Sequence, residues 1–575
     1  MHTSSRPSLL QVARFWSIFS FRERVLFLFL LVIAIVAGGL FVTSFFRSFI
    51  DTVPEVGGNY TEGVVEEIRF INPILASNET ERSISSLVFR GLFRYSARGE
   101  LTPDVAESYS ISDDGKRYTV IIKKDVTWQD GKSFTANDIL FTVAMIQNSD
   151  FRSPFRPNWQ GVMTEKINEF TVVFILRQPY APFIENLTIG IIPKHAWATI
   201  RPENSLQAEL NIKPIGSGPY QFKKLIRSTT GTITAYTIDR RGDLRKYEPP
   251  YLETISFNVF GSEETIISSY QRGKIDGMNF ISAENIEKIQ KKSEVYSVQL
   301  PQIFALFFNQ SKNKLLSDDV VREALDISIN RDLLIEKVFA NNAKALGSPL
   351  PPGTIGFDET ALPPKKNNDR AEKILDSAGW IKNSTTGIRE RKIQKTSKTP
   401  ETINPLRVVI TTSVWPDLVK VAEFVRDEWR AIGVDAVVEA YTIPELESQF
   451  IRPRSYEVLL FGESYGHDSD PFAFWHSTQI KHPGLNVALY SNKKVDSALE
   501  TARQAKNRDE IAKKYRELQT IVAKDRPAVF LYTPNYFFIM RNTIRGVQTN
   551  SVIKPSERFN SAAEWFVHTD WKLVW

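Results

Sequence analysis

Hydrophobic and polar positions are most regularly patterned between residues 406 and 462. "LRVVITTSV" (406–414) has the makeup of a strand. In "DLVKVAEFVRDEWRAIG", Leu418, Val421, Ala422, Val425, Trp429 and Ile432 share one side of a helix, and Gly433 ends it. "VDAVVEAY" reads as a second strand, "IPELESQFI" as a short helix and "YEVLLFG" (456–462) as a third strand. Strand, helix, strand, helix, strand predicts a parallel sheet with crossover helices. Open α/β sheets bind ligands at the carboxyl ends of their strands. That singles out two loops: "TTSVWPD", with Ser413 and Trp415, and "FGESYGHDSDPFAFWHST" (461–478).

Elsewhere the pattern is shorter-ranged. "GVVEEIRFINP" predicts a strand ending at Pro73. "TVPEVGGNYTEG" (52–63) predicts a linker, with the globular part beginning near Tyr60. Asp114-Gly115 and Asp130-Gly131 predict turns. A helix follows the second turn, with Thr135 as N-cap and Asp138 completing a short-armed capping box. Its apolar residues Ile139, Leu140, Val143 and Ala144 have core spacing. "LSDDVVREALDISINRDLLIEKVF" predicts two helices capped by Ser317 and Asn330, and "NDRAEKILDSAGW" a third stopped by Gly379. The polar, basic stretch 377–405 predicts an exposed loop.

Composition narrows the class. The 575 residues are too many for one core and suggest two or three domains or lobes. A net charge of +6, from 72 basic and 66 acidic side chains, is too diffuse to argue for nucleic acid. The absence of cysteine excludes disulfides, thiolate metal sites, a cysteine nucleophile and lipid attachment through cysteine. Val25 to Phe46 is uncharged and long enough to span a bilayer. A cleaved signal peptide has an apolar region of only about 7–15 residues. Arg6, Arg14, Arg22 and Arg24 precede the run and Arg47 follows it. This predicts a single-pass anchor with a cytoplasmic N-terminus and the rest of the chain as an ectodomain.

The chemistry-bearing residues cluster in 461–478. His467, His476 and His482 with Asp468 and Asp470 match no standard zinc spacing, so hydrogen-bonded loop histidines are expected and no metal. The chain has no Gly-x-Ser-x-Gly, His-Glu-x-x-His or kinase signature, so no catalytic residues and no cofactor are assigned. Asp468 has two readings, cap of a helix beginning near Pro471 or ligand contact. Trp415 and Trp475 are each either pocket wall or core, and Asn309, ending "ALFFN", either steadies the chain crossover or bonds a ligand. "PIGSGPY" (214–220) lacks the Lys-Ser/Thr of a P-loop and reads as a turn.

An ordered set of segments carries a family resemblance: "LVFRGLFRYSARGELTPDVAESYSISDDGKRYTVIIKKDVTWQDGKSFTANDILFT", "PIGSGPY", "FFNQSKNKLLSDDVVREALDISINRDLLIEKVF", "YSNKKVDSALETAR" and "AKDRPAVFLYTP". From about Glu66 to Pro534 the chain resembles the dipeptide/oligopeptide-binding proteins of ABC importers, the bacterial extracellular solute-binding protein family 5. The resemblance implies an α/β, two-lobed, periplasmic-binding-protein type II-like clamshell of the large peptide-binding subclass, here with an N-terminal transmembrane helix. Its divisions would be a cytoplasmic segment 1–24, an anchor 25–46 and a linker 47–59, then lobe 1 at 60–300, with a hairpin-rich subdomain at about 75–190. Lobe 2 would follow at 301–527, with a return to lobe 1 at 528–575.

The implied function is capture of a peptide by a monomer, without chemistry, and delivery to an ABC permease. Alternatives are another solute, such as an oligosaccharide or metal chelate, or a surface hydrolase or scaffold. Many members hold the ligand ammonium with an aspartate four residues before a proline; His467 stands there. Asp468 and Asp470 are instead spaced Asp-x-Asp-Pro, like a subgroup with "DPDP", which makes Asp468 the match for the ammonium contact. Tyr465, Phe472, Phe474, Trp475 and Trp415 are the expected aromatic walls, and His467, Asp470 and Asn309 complete the expected site.

Overall fold

Residues 20–573 are described by the computed structural model, except 48–49, 97–98, 181, 244–248, 280, 287–288, 290–292, 394–401, 467–468, 506 and 550–551. The predicted parallel unit is present. Arg407–Ser413 pairs in parallel with Asp435–Tyr441 along its whole length and with Val458–Ser464 at Ile410 and Thr411. Gln302–Phe308 then adds antiparallel to Val458–Ser464, and Ala528–Arg541 antiparallel to Gln302–Phe308.

These strands are apolar on both faces because both faces are covered. On one face Leu306, Phe308, Val408, Ile410, Leu460 and Val529 pack under helix Pro416–Ala431. On the other, Ile303, Ala305, Phe307, Leu459 and Phe530 pack under helices Lys493–Gln504 and Arg508–Asp525. Successive strand residues point to opposite faces, so the alternation assigns each side chain to its core.

Ala528–Arg541 joins this unit to the rest of a twelve-stranded sheet. Its residues up to Tyr532 belong to the cores just described, whereas Tyr536, Phe538 and Met540 belong to a separate core built largely from residues 60–259. The chain therefore crosses between two packed bodies at Leu300–Pro301 and near Pro534. The hairpin Ala106–Ile111 and Arg117–Ile122 turns at Gly115 as predicted, and the Thr135–Asp138 capping box is formed. Gly216 and Gly218, in the predicted turn, lie against the backbone of Leu87 and Val88; a Cβ on Gly216 would sit 2.0 Å from the Val88 carbonyl oxygen.

Four expectations are corrected. The strand expected to reach Pro73 ends at Val64, because the Arg69 and Phe70 amides donate to Glu81 Oε1 at 2.8 and 3.0 Å instead of a ladder. The expected linker contains a strand, Ile50–Glu55, antiparallel to His568–Leu573. The expected basic loop forms a small sheet of Ile381–Lys382, Arg389–Ile393 and Thr402–Pro405, although 394–401 lie outside the described residues. It forms because the Arg389 side chain is buried, donating to the carbonyls of Ile432 and Trp380 at 2.8 and 2.7 Å. Finally, Asp318 rather than Ser317 caps Asp319–Ile327, since its carboxylate reaches the Val320 amide at 3.1 Å. Asn330 caps the next helix and Gly379 takes the left-handed conformation after helix Asn368–Ser377, as expected. The N-terminal apolar run is a helix, Phe21–Arg47, and its Phe21–Phe41 span is not covered by the rest of the protein.

Candidate functional site

Arg407–Ser413 and Val458–Ser464 run side by side but send their connections to opposite faces. After Ser413 the chain enters helix Pro416–Ala431 over one core; after Ser464 it turns toward Phe474 and Trp475 in the other. Their ladder register ends at Thr411 and Leu459, with one further bond from Thr412 Oγ1 to the Leu460 carbonyl at 3.0 Å. Beyond it, among the described residues, Phe461–Ser464 pairs only with Gln302–Phe308 on its other flank. In open α/β sheets such a switch point is where a ligand crevice is expected, at the strands' carboxyl ends. Val414 and Trp415 stand at its mouth, Trp415 being 57% exposed just before the helix, whose first residue is Pro416.

The expected aromatic walls divide. Trp475 has no exposed surface and packs with Phe307, Tyr490 and Phe530. Its indole donates to the Tyr465 hydroxyl at 3.1 Å, which itself donates to the Pro349 carbonyl at 2.7 Å. Tyr465 is corrected to a core residue, as is nearly buried Phe474, and Trp475 takes the core one of its two readings, because the turn after Ser464 folds back beneath the sheet. Trp415 and half-buried Phe472 remain at the surface.

Asp470 is committed to the protein. Arg503 grips it through Nε at 2.7 Å and Nη2 at 2.6 Å, and the Tyr515 hydroxyl lies at 3.3 Å. Asp470 also accepts from the Phe472 amide at 3.0 Å, so it serves the first turn of Phe472–Trp475, the capping role considered for Asp468. The Arg503 guanidinium lies 3.5 Å from the Phe472 ring centre and 5.2 Å from that of Tyr180, in the other body. This contact bridges the two bodies.

Asn309 is buried, donating to the Arg454 carbonyl and accepting from the Ser311 and Lys312 amides. Because Gln302–Phe308 runs antiparallel to Val458–Ser464, it lies at the opposite end of the strands from Tyr465, and its contacts are those of the structural one of its two readings. His476 stacks on Phe472 and bonds Thr478 at 2.8 Å. Among the described residues no group of three metal-ligating side chains occurs. His467 and Asp468 lie outside the described residues.

Glu463 is the group that sequence reasoning missed. It is 5% exposed, and neither carboxyl oxygen has a hydrogen-bond partner among the described residues. Burial alone pushes its pKa well above the ordinary carboxylate range. The signal was alternation: residues 459, 461, 463 and 465 share a face, and three of them are apolar or aromatic.

Two packed bodies joined by two crossings, with a sheet switch point in one of them, are the two-lobed architecture of a binding protein. The chain belongs to the bacterial extracellular solute-binding proteins, family 5, whose sequence pattern (the family's middle region) matches residues 100–482. It is 26% identical over 502 residues to the oligopeptide-binding protein AppA of Bacillus subtilis, covering 86% of this chain and 89% of that one. It is 21% identical to a dipeptide-binding protein of Escherichia coli, covering 83% and 89%. The fold is similar to that of Bacillus subtilis AppA in complex with a nonapeptide, with a TM-score of 0.73, 23% identity, and 90% and 100% coverage. It is also similar to NikZ of Campylobacter jejuni in complex with Ni(L-His), with a TM-score of 0.72, 26% identity, and 88% and 99% coverage. The expected two-lobed clamshell and solute-binding class therefore stand.

Proposed function

We propose that the protein captures peptides between its lobes and delivers them, unaltered and as a monomer, to an ABC permease. The observation that carries this is the family match joined to relatives named for peptide binding over most of their length. A receptor for varied peptides grips what they share, the terminal charges and backbone amides, and encloses the side chains loosely. Exposed Trp415 and half-buried Phe472 supply aromatic surface for this, and Asp468 keeps its motif-based assignment to the ligand ammonium, with His467 beside it. Leu300–Pro301 and Thr533–Asn535 are the natural hinge, because no other described strand is shared between the cores. Solute that touches both lobes shifts the population toward closure.

The Phe21–Arg47 helix is the tether, with its N-terminus in the cytoplasm. It ends three residues before strand Ile50–Glu55, a reach of roughly 11 Å at most, so the receptor stays at the membrane face. Mass spectrometry of small molecules released from the purified, detergent-solubilised chain tests the reading. Co-purifying peptides of mixed sequence are expected. A single chelate or saccharide overturns the peptide assignment, and turnover of an added peptide overturns the receptor role.

A further inference from the structure

Glu463 lies beside the crevice, past the last ladder pair with Arg407–Ser413, and opposite Ile303 on its paired flank. Alternation puts its side chain on the face of Leu459 and Tyr465, in an apolar core. Among the described residues the titratable groups that face it are the phenols of Tyr456 and Tyr465. Both hydroxyls already donate elsewhere, to the Val487 and Pro349 carbonyls at 2.5 and 2.7 Å. Among the described residues no cation or second carboxylate acts on it; Asp470, seven positions further along the chain, is held by Arg503.

A carboxylate buried without a partner is expensive, so burial favours the neutral form of the group until a cation arrives. An entering ammonium or guanidinium supplies a charge-assisted hydrogen bond in a water-poor setting. We propose that Glu463 is a recognition site for a cationic group of the solute, a primary ammonium or guanidinium entering between Arg407–Ser413 and Val458–Ser464. This rests on the peptide-receptor reading and adds a charge requirement to it. The balance is simple: the protonated carboxyl and the cation give an ion pair, and one proton leaves to solvent. Affinity therefore rises with pH between the pKa of the occupied carboxyl and the higher pKa of the empty one.

The test is calorimetry on the full chain in detergent with two tetrapeptide pools, identical except that one carries lysine where the other carries norleucine. Titration in buffers of differing ionisation enthalpy counts protons released by the unmodified protein, so this readout needs no variant. Proton release on binding is expected, and Glu463→Gln abolishes it. If the cation is a side chain, the lysine pool binds at least tenfold tighter and only that advantage is lost in Glu463→Gln. If it is the α-ammonium, both pools weaken in the variant together. Equal binding of both pools to both proteins with no proton release overturns the proposal and leaves the receptor reading standing. Binding of neither pool overturns the peptide reading and this inference with it.

Discussion

Two glutamates are buried in the same continuous sheet, one in each lobe, with opposite surroundings. Glu62, on Asn59–Val64, is 1% exposed; Arg558, also 1% exposed, donates to it at 2.9 Å, and the Tyr60 hydroxyl donates to its other oxygen. The site is built tightly enough that a Cβ on Gly277 would sit 2.7 Å from the Glu62 carboxylate. Among the described residues Glu463 has none of this. A buried charge whose partner is supplied by its own chain belongs to the architecture, whereas one without a partner costs stability and calls for another explanation.

The largest effect should come from breaking the built pair. Arg558→Leu leaves the Glu62 carboxylate buried and uncompensated, and should destabilise the protein by about 3–5 kcal/mol. Denaturant unfolding measures it. A loss below about 1 kcal/mol would mean that Glu62 carries no charge in the folded state and would erase the contrast.

The opposite sign is expected at Glu463. Glu463→Leu removes an unpartnered polar group and should stabilise the unliganded protein by roughly 1–3 kcal/mol at neutral pH. The pH dependence follows from the raised pKa. Below its ordinary value of 4.5 the carboxyl is protonated folded and unfolded, and imposes no linkage penalty. As pH climbs toward the folded value, the unfolded state ionises first and stability falls. The stability gap between Glu463→Leu and the parent should therefore widen from pH 4.5 upward; a gap that is flat with pH would contradict the burial argument.

Much of this was legible in sequence, and the failures have physical causes. The 407–464 unit could be read because β-branched runs and a sixteen-residue amphipathic helix are strong periodic signals. Glu463 was missed because Gly462 was taken as the strand's end. The glycine is there for another reason: across the ladder lies Phe304, whose ring would come within 2.7 Å of a Cβ at 462, so the strand runs on to Ser464. Tyr465 was placed correctly along the chain and wrongly in depth, and Trp475 takes the core one of its two readings, because nothing local encodes that the turn folds under the sheet. Arg389 looked solvated among basic neighbours, yet carbonyls from Trp380 and Ile432, the latter 43 positions away, bury it.

A smaller effect separates the lobes rather than unfolding them. Tyr180→Ala removes the ring facing Arg503 without touching the Arg503–Asp470 pair, and should shift the open–closed balance by about 0.5–1 kcal/mol toward open. Small-angle scattering of the unliganded protein would show a larger radius of gyration. Arg503→Ala should add a stability loss of about 1–2 kcal/mol, because nearly buried Asp470 then lacks its cation, an amount held down by the partial exposure of Arg503. Identical scattering for both variants and the parent would make the bridge incidental.

The smallest stability effect belongs to Trp415, and its value lies in that smallness. Trp415 is more than half exposed at the crevice mouth and its side chain supports no core, so Trp415→Ala should change unfolding free energy by less than about 0.5 kcal/mol. Affinity for peptide should nevertheless fall, by roughly 10-fold if the ring covers bound solute. A residue of the Glu62 kind would lose stability and leave affinity alone once folded; one of the Glu463 kind would change both. Trp415 should change affinity only. If its loss leaves binding untouched, the solute does not reach the mouth between Ser413 and Ser464, and Glu463 loses the crevice that gives its unpartnered carboxyl a use.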